Sequence, residues 1–231
     1  MHPRGMKSFV IGDIHGAHKA LLQCLERSGF DYATDQLICL GDVCDGWPET
    51  RQAIDELMKI KNLTYLLGNH DFWTLEWMRE GDADEIWLTQ GGDATVNSYK
   101  DNIPLQHIEF LERAHHYFLL GEKLFVHADI DTRLPLEKQS LQILLWGRSL
   151  SRTALDLHAK SIEGNLTGFE EVYIGHTPVS PPPVHACEVW LMDTGAGWSG
   201  VLSMMNIETK ELFMSDPVPQ LYPGVVGRKK K

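Results

Sequence analysis

The chain has 231 residues, 43% of them hydrophobic and 23% charged, which is enough for one sizeable core and excludes a disordered chain. A formal net charge of -11 excludes broad electrostatic binding of a nucleic-acid polymer or an anionic membrane, since both need a basic face. No apolar run approaches the roughly 20 residues that span a bilayer, Met1 to Met6 lacks a signal-like apolar stretch, and Cys24, Cys39, Cys44 and Cys187 show no CxxC spacing, so the expectation is a cytoplasmic protein with reduced thiols.

Lys7 to Ile11 is a short apolar run ending at a glycine, as a buried parallel strand does. Ala20, Leu21, Cys24 and Leu25 then recur at helical spacing. Gln36 to Leu40 is a second strand-like run, Pro48 suits a helix first turn, and Ile54, Leu57 and Met58 form an apolar stripe. Leu63 to Leu67 completes a β-α-β-α-β series, which implies a parallel sheet covered by helices. From His70 to about Glu122 the chain reads as mainly helical, with Gly81, Gly91-Gly92 and Pro104 as interruptions. Lys123 to Val126 and Val172 to Ile174 are further buried strands. Val189 to Met192, Val201 to Ile207 and Leu212 to Met214 are short runs between turn residues, expected as antiparallel strands of a second sheet. With no repeat and no linker, residues 1–215 read as one domain. Residues 216–231, with three prolines and a terminal Arg228-Lys229-Lys230-Lys231 run, read as a mobile tail.

The chemistry lies at the ends of the strands. Their carboxyl ends deliver Asp13 and His15, Asp42 and Asp45, Asn69 to Asp71, His127 and Asp129, and His176. Ligands of open α/β sheets bind beyond the carboxyl ends of the strands, so these loops should converge. Singly, an Asp after a strand often caps a helix and a His is often structural. His18, His107, His115, His116, His158 and His185 are read that way. Oxygen and imidazole donors at every strand end point instead to metal, and the lack of thiolate suits Mn, Fe or Zn. A carboxylate such as Asp42 can bridge two cations, which together clamp the attacking and leaving oxygens of a phosphoryl displacement.

The ordered series GDIHG (12–16), GDVCDG (41–46), GNHD (68–71), VHA (126–128) and GHTP (175–178) resembles the phosphoprotein phosphatase branch of the calcineurin-like metallophosphoesterases, from about Lys7 to about Ile207. That branch includes bacterial and phage serine/threonine phosphatases and symmetrical diadenosine tetraphosphate hydrolases. The resemblance implies an α/β sandwich of two mixed β-sheets flanked by helices, and hydrolysis of phosphate esters by a metal-activated water. It implies two divalent metal ions, Mn with Fe or Zn as alternatives. Asp13, His15 and Asp42 would hold one; Asp42 would bridge to a second held by Asn69, His127 and His176. His70 would be the general acid, with Asp45 pairing to it and keeping it protonated. Arg148 would bind the phosphate. The implied partner is a phosphorylated protein or a small phosphate ester.

Three departures stand out. The second motif of the family continues Asp-Arg-Gly, and here Asp45 is followed by Gly46-Trp47, so the arginine that grips phosphate bidentately is missing. Arg51, Arg133 or Arg152 could replace it. Asp71 stands where Glu is usual, and Asp129 where Gly is common, either repelling a highly charged substrate or pointing outward. A dinucleoside polyphosphate hydrolase is therefore the alternative enzyme, with Trp47, Trp73, Trp77, Trp87 and Trp146 as candidates to stack on a base or to fill the core. The non-enzyme alternative is a catalytically dead scaffold on the same fold.

Overall fold

A computed structural model describes residues 5–100 and 102–228. Strands β1 (Ser8–Ile11), β2 (Gln36–Cys39) and β3 (Asn62–Tyr65) are parallel and alternate with helices α1 (His18–Ser28) and α2 (Thr50–Leu57). The β1 run is apolar at consecutive positions because both its faces are covered. Phe9 and Ile11 pack with Leu21, Leu25 and Ile54 of the helices, whereas Val10 meets Phe125, Tyr173 and Met205 on the other side. Burying such a side chain is worth roughly 1.5–3 kcal/mol, so the strand order is set by apolar contact on two sides. Helix α1 stops at Gly29, whose left-handed φ of 60° lets its N–H close back onto the last turn.

The middle of the chain is helical in α3 (Asn69–Glu80), α4 (Glu85–Trp87), a π-helical stretch over Leu88–Gly92, α5 (Asp93–Tyr99) and α6 (Leu105–Glu112). The helical reading fails at β4 (Tyr117–Leu120), a half-exposed strand paired antiparallel with β5 (Lys123–Val126). Helices α7 (Leu141–Trp146) and α8 (Ser149–Ala159) precede β6 (Glu171–Ile174), β7 (Val184–Ala186) and β8 (Val189–Leu191). The last strands, β9 (Ser203–Asn206) and β10 (Leu212–Met214), do not build a second sheet. They return to the first, giving the order β10-β9-β1-β2-β3, while the other sheet runs β4-β5-β6-β8-β7. The antiparallel expectation holds for β9 with β1 and β10 and for β8 with β7, whereas β8 is parallel to β6 on its other side. The fold is thus a sandwich of two mixed sheets flanked by helices, with Phe125 and Tyr173 facing Val10, Ile38 and Leu66 across its interior.

Residues 216–228 differ from the mobile tail expected there. They run along the domain through α9 (Val218–Leu221), with Val218 and Tyr222 buried. Tyr222 stacks on Trp47 at 5.2 Å, accepts from the Lys19 N–H at 3.0 Å and donates to Glu49. Two apolar anchors in a proline-rich stretch suffice to dock it. Met1 to Arg4 and Lys229 to Lys231 lie outside the described residues. No helix among the described residues is long and apolar enough to cross a membrane, and the four cysteines are unpaired.

Candidate metal centre

Six parallel strands, three in each sheet, end on one edge of the sandwich, and their succeeding loops interlock there. The backbone N–H groups of Ile14 and His15 donate to the Asp42 carbonyl, that of His70 to Asp42 Oδ1 at 2.9 Å, and that of His176 to Asp13 Oδ2 at 3.0 Å. His15, Asp42, Asp45 and His176 all hold positive φ, the strained backbone that often collects at functional sites. Two motif glycines exist for close approach. A Cβ on Gly68 would sit 2.0 Å from Asp42 Oδ1, and one on Gly175 would sit 2.1 Å from Asp13 Oδ1.

The predicted ligands come together in two groups that share Asp42. The donor atoms of Asp13, His15 and Asp42, and likewise those of Asp42, His127 and His176, lie within 4.8 Å of one another. Asp42 Oδ2 stands 3.8 Å from His15 Nε2 and 3.5 Å from His127 Nε2. Asn69 Oδ1 is 3.1 Å from His127 Nε2. His15 Nδ1 donates to the Cys44 carbonyl at 3.0 Å and His127 Nδ1 to the Leu40 carbonyl at 2.8 Å. Each ring therefore turns an unprotonated Nε2 inward.

These residues fit a bound cation. Around His127, a ring lone pair, an amide oxygen and a carboxylate oxygen face one another with no proton to share. Burial holds the His127 pKa down to about 4, so the ring does not supply one. Burial, and then repulsion from Asp193 and Asp42, pushes the Asp13 carboxyl up; burial and Asp71 do the same to Asp42. Cations resolve both conflicts at once.

His70 and Asp45 pair as expected, with Nδ1 to Oδ2 at 2.6 Å. Asp45 is fixed by Trp87 Nε1 on Oδ2 at 2.7 Å and by the Thr95 hydroxyl on Oδ1 at 2.8 Å. Burial opposes the protonated His70 that this pairing was expected to favour. Burial, then the positive charge of Arg228, pulls the His70 pKa down. Burial also raises Asp45 to about 7, against the Thr95 and Trp87 hydrogen bonds.

Arg148 is half-buried at the start of α8, its Nη1 3.4 Å from the Thr177 hydroxyl, and its charge reaches His127 and His176. The Asp129 carboxylate is engaged by backbone N–H groups. It accepts from the Ser149 N–H at 2.6 Å and the Leu150 N–H at 3.2 Å, capping α8 and so placing Arg148. Asp71 takes five donors: the N–H groups of Asp42, Val43, Cys44 and Gly68, and the Tyr65 hydroxyl. The shorter carboxylate thus still holds the loop that carries Asp42. Trp47, Trp77 and Trp87 are buried; Trp73 and Trp146 are half-exposed, with Trp73 edge-on to His70 at 5.2 Å.

Reading the strand ends for ligands misses Asp193, which comes just after β8. It is buried beside Asp13, its Oδ2 has no hydrogen-bond partner among the described residues, and burial raises its carboxyl to about 6. The sequence does carry a signal for it: Val189 to Met192 runs into Asp193-Thr194-Gly195 as the other strands run into their motifs. Also missed is Arg228, whose Nη1 lies 3.2 Å from His15 Nε2 and which no local pattern marks.

Comparison with known proteins agrees with this geometry. Residues 6–180 match the family model described as calcineurin-like phosphoesterase. The chain is 26% identical to serine/threonine-protein phosphatase 1 of Salmonella typhimurium, over 87% of this chain and 91% of that protein. It is 23% identical to the symmetrical bis(5'-nucleosyl)-tetraphosphatase of Buchnera aphidicola subsp. Baizongia pistaciae, over 91% of this chain and 98% of that protein. Among solved structures, a candidate diadenosine tetraphosphatase superposes with a TM-score of 0.69 at 17% identity, over 94% of this chain and 96% of that one.

Proposed function

Because the chain belongs to the calcineurin-like phosphoesterase family, and is accordingly a metal-dependent phosphoesterase, we propose that it hydrolyses phosphate monoesters at a two-metal centre, in the manner of a serine/threonine protein phosphatase. The observation that carries this reading is the pair of buried donor groups sharing Asp42, with His70 beside them. Asp13, His15 and Asp42 would hold one ion, and Asp42, Asn69, His127 and His176 the other. Hard oxygen and imidazole donors favour Mn, with Fe or Zn as alternatives. Divalent cations bound there lower the pKa of a water and offset the charge of the ester.

The protein's own residues do the rest. His70, oriented through Nδ1 by Asp45, turns Nε2 to the leaving oxygen as general acid. An anionic substrate beside it favours the charged imidazole that burial alone disfavours. Arg148 adds a fixed positive charge on the side of the second sheet. The substrate is a phosphorylated protein or small phosphate ester in the cytoplasm.

Cleavage of a dinucleoside polyphosphate is the second reading, and the half-exposed ring of Trp73 beside His70, with Trp146 packed against it, favours it. The completeness of the donor groups counts against a dead scaffold. Initial rates of chelator-stripped protein with Mn restored, on a phosphothreonine peptide and diadenosine tetraphosphate side by side, test the assignment. Preference for the peptide supports it, preference for the dinucleotide moves it to the second reading, and no turnover of either with metal bound overturns both.

A further inference from the structure

The arginine absent after Asp45 leaves Gly46, and the space beside Gly46 is filled from far away in the sequence. A Cβ on Gly46 would lie 3.0 Å from Arg228 Cγ, one on Gly91 3.1 Å from the same atom, and one on Gly197 3.1 Å from Arg228 Cδ. Three glycines thus wall a channel for one side-chain stem. Arg228 is anchored along its whole length. Its N–H donates to the Gly197 carbonyl at 2.8 Å and its Nε to the Gln90 carbonyl at 3.1 Å, while the guanidinium lies 4.3 Å above the Trp198 ring. Anchoring a long, flexible side chain gives up its rotamer freedom, so it needs a reason.

Ion pairing is not that reason. Among the described residues no carboxylate oxygen lies within 4.0 Å of the guanidinium. Its Nη1 nonetheless lies 3.2 Å from His15 Nε2, one of the donor atoms of the candidate centre. The cation is held at the mouth of the donor set without being neutralised, beside a cleft of about 800 Å³ that it lines with Trp198, Gln90 and Val179. The substitutes named from the sequence serve less well. Arg133 is exposed and bound to Asp131 at 2.7 Å, the charge of Arg51 falls on Tyr99 and His107, and Arg152 neighbours Arg148.

We propose that Arg228, carried in by the C-terminal segment, is the guanidinium that binds the substrate's phosphate in the place vacated at Gly46. The proposal rests on the phosphoesterase reading above. A planar fork of donors suits two phosphate oxygens, and stacking on Trp198 fixes its plane. The cleft beside it takes the group esterified to that phosphate. Specificity then depends on a segment that no motif of the domain contains.

The test compares wild type, Arg228→Ala and Arg228→Lys, each loaded with Mn. Metal content is measured by mass spectrometry, orthophosphate affinity by calorimetry, and kcat and KM on para-nitrophenyl phosphate. The proposal expects unchanged metal content, orthophosphate affinity about tenfold or more weaker in Arg228→Ala, and a KM raised by a similar factor, as for loss of a charge-assisted bidentate contact. Arg228→Lys should recover part of both, and millimolar guanidinium should restore turnover to Arg228→Ala. Equal phosphate affinity in wild type and Arg228→Ala overturns it. So does faster turnover or tighter metal binding in Arg228→Ala, which would make the segment an inhibitory strap, and so does a wild type that binds no orthophosphate. A wild type that binds phosphate but cleaves no ester sinks the proposed activity alone, because the affinity comparison still decides the role of Arg228.

Discussion

The His70 N–H donates to Asp42 Oδ1 at 2.9 Å, yet the roles proposed for the two residues separate. Asp42 belongs to both donor groups, so Asp42→Ala should lose metal and activity together, read as metal per protein and initial rate. His70 contributes a ring beside those groups and only its backbone to Asp42. His70→Ala should keep its metal and lose about 10²–10⁴-fold in kcat, the usual worth of a positioned acid. Loss of metal from His70→Ala would refute that division. Asp71 touches no substrate-facing atom but satisfies five buried donors. Asp71→Ala leaves those donors unpaired at roughly 1–3 kcal/mol each where water does not replace the carboxylate. A drop in thermal midpoint of several degrees is expected, with metal affinity falling alongside because the Asp42 loop loosens. An unchanged midpoint would mean that Asp71 does not anchor that loop.

At the level of elements, the parallel strands were legible because burial on two faces leaves an uninterrupted apolar run. The candidate ligands were legible because each comes within a few residues of such a run. Asp193 obeys the same rule and was readable in principle. Strand β4 was not, since Tyr117 to Leu120 is only half covered and continues a helical stretch. Strand β7 has three residues after a run of prolines. The choice of β9 to pair with β1 is a tertiary choice that no local pattern carries. Arg228 is the extreme case, with its contacts to His15 and Gln90 spanning 213 and 138 residues.

Strand β6 carries a separate, testable charge cluster. Glu171 meets Lys123 at 2.6 Å, Lys210 at 2.5 Å and the Tyr173 hydroxyl at 2.9 Å. Burial alone would raise its carboxyl, but these partners outweigh burial and hold it at about 2. A depressed carboxyl stabilises the fold fully above its unfolded value of about 4.3 and loses that contribution as pH falls toward 2. Because the group is partly exposed, the contribution is about 1 kcal/mol. Glu171→Gln should therefore lower the midpoint at pH 7, and the gap from wild type should close between about pH 4 and pH 2. A gap that persists at pH 2 would point to lost packing instead.

Across the whole molecule, the donor groups join the two sheets. Asp13, His15, Asp42 and Asn69 come after strands of one sheet, and His127 and His176 after strands of the other. Metal bound only by the assembled sandwich must stabilise it, by about 2.7 kcal/mol at a free concentration one hundred times the dissociation constant. Chelation should lower the thermal midpoint and added Mn should raise it with concentration. Asp42→Ala should abolish that dependence.

The return of β9 to the flank of β1 has a consequence for biosynthesis. Ile11 pairs with Met204 on one side and Cys39 on the other, so β1 stays unpaired along one edge until Asn206 has left the ribosome. A nascent chain arrested before Ser203 carries an open apolar edge next to Asp13 and His15, and has neither β9 to close it nor Arg228 to line the mouth. Until Asn206 has emerged that edge is open, and it is a natural target for chaperones.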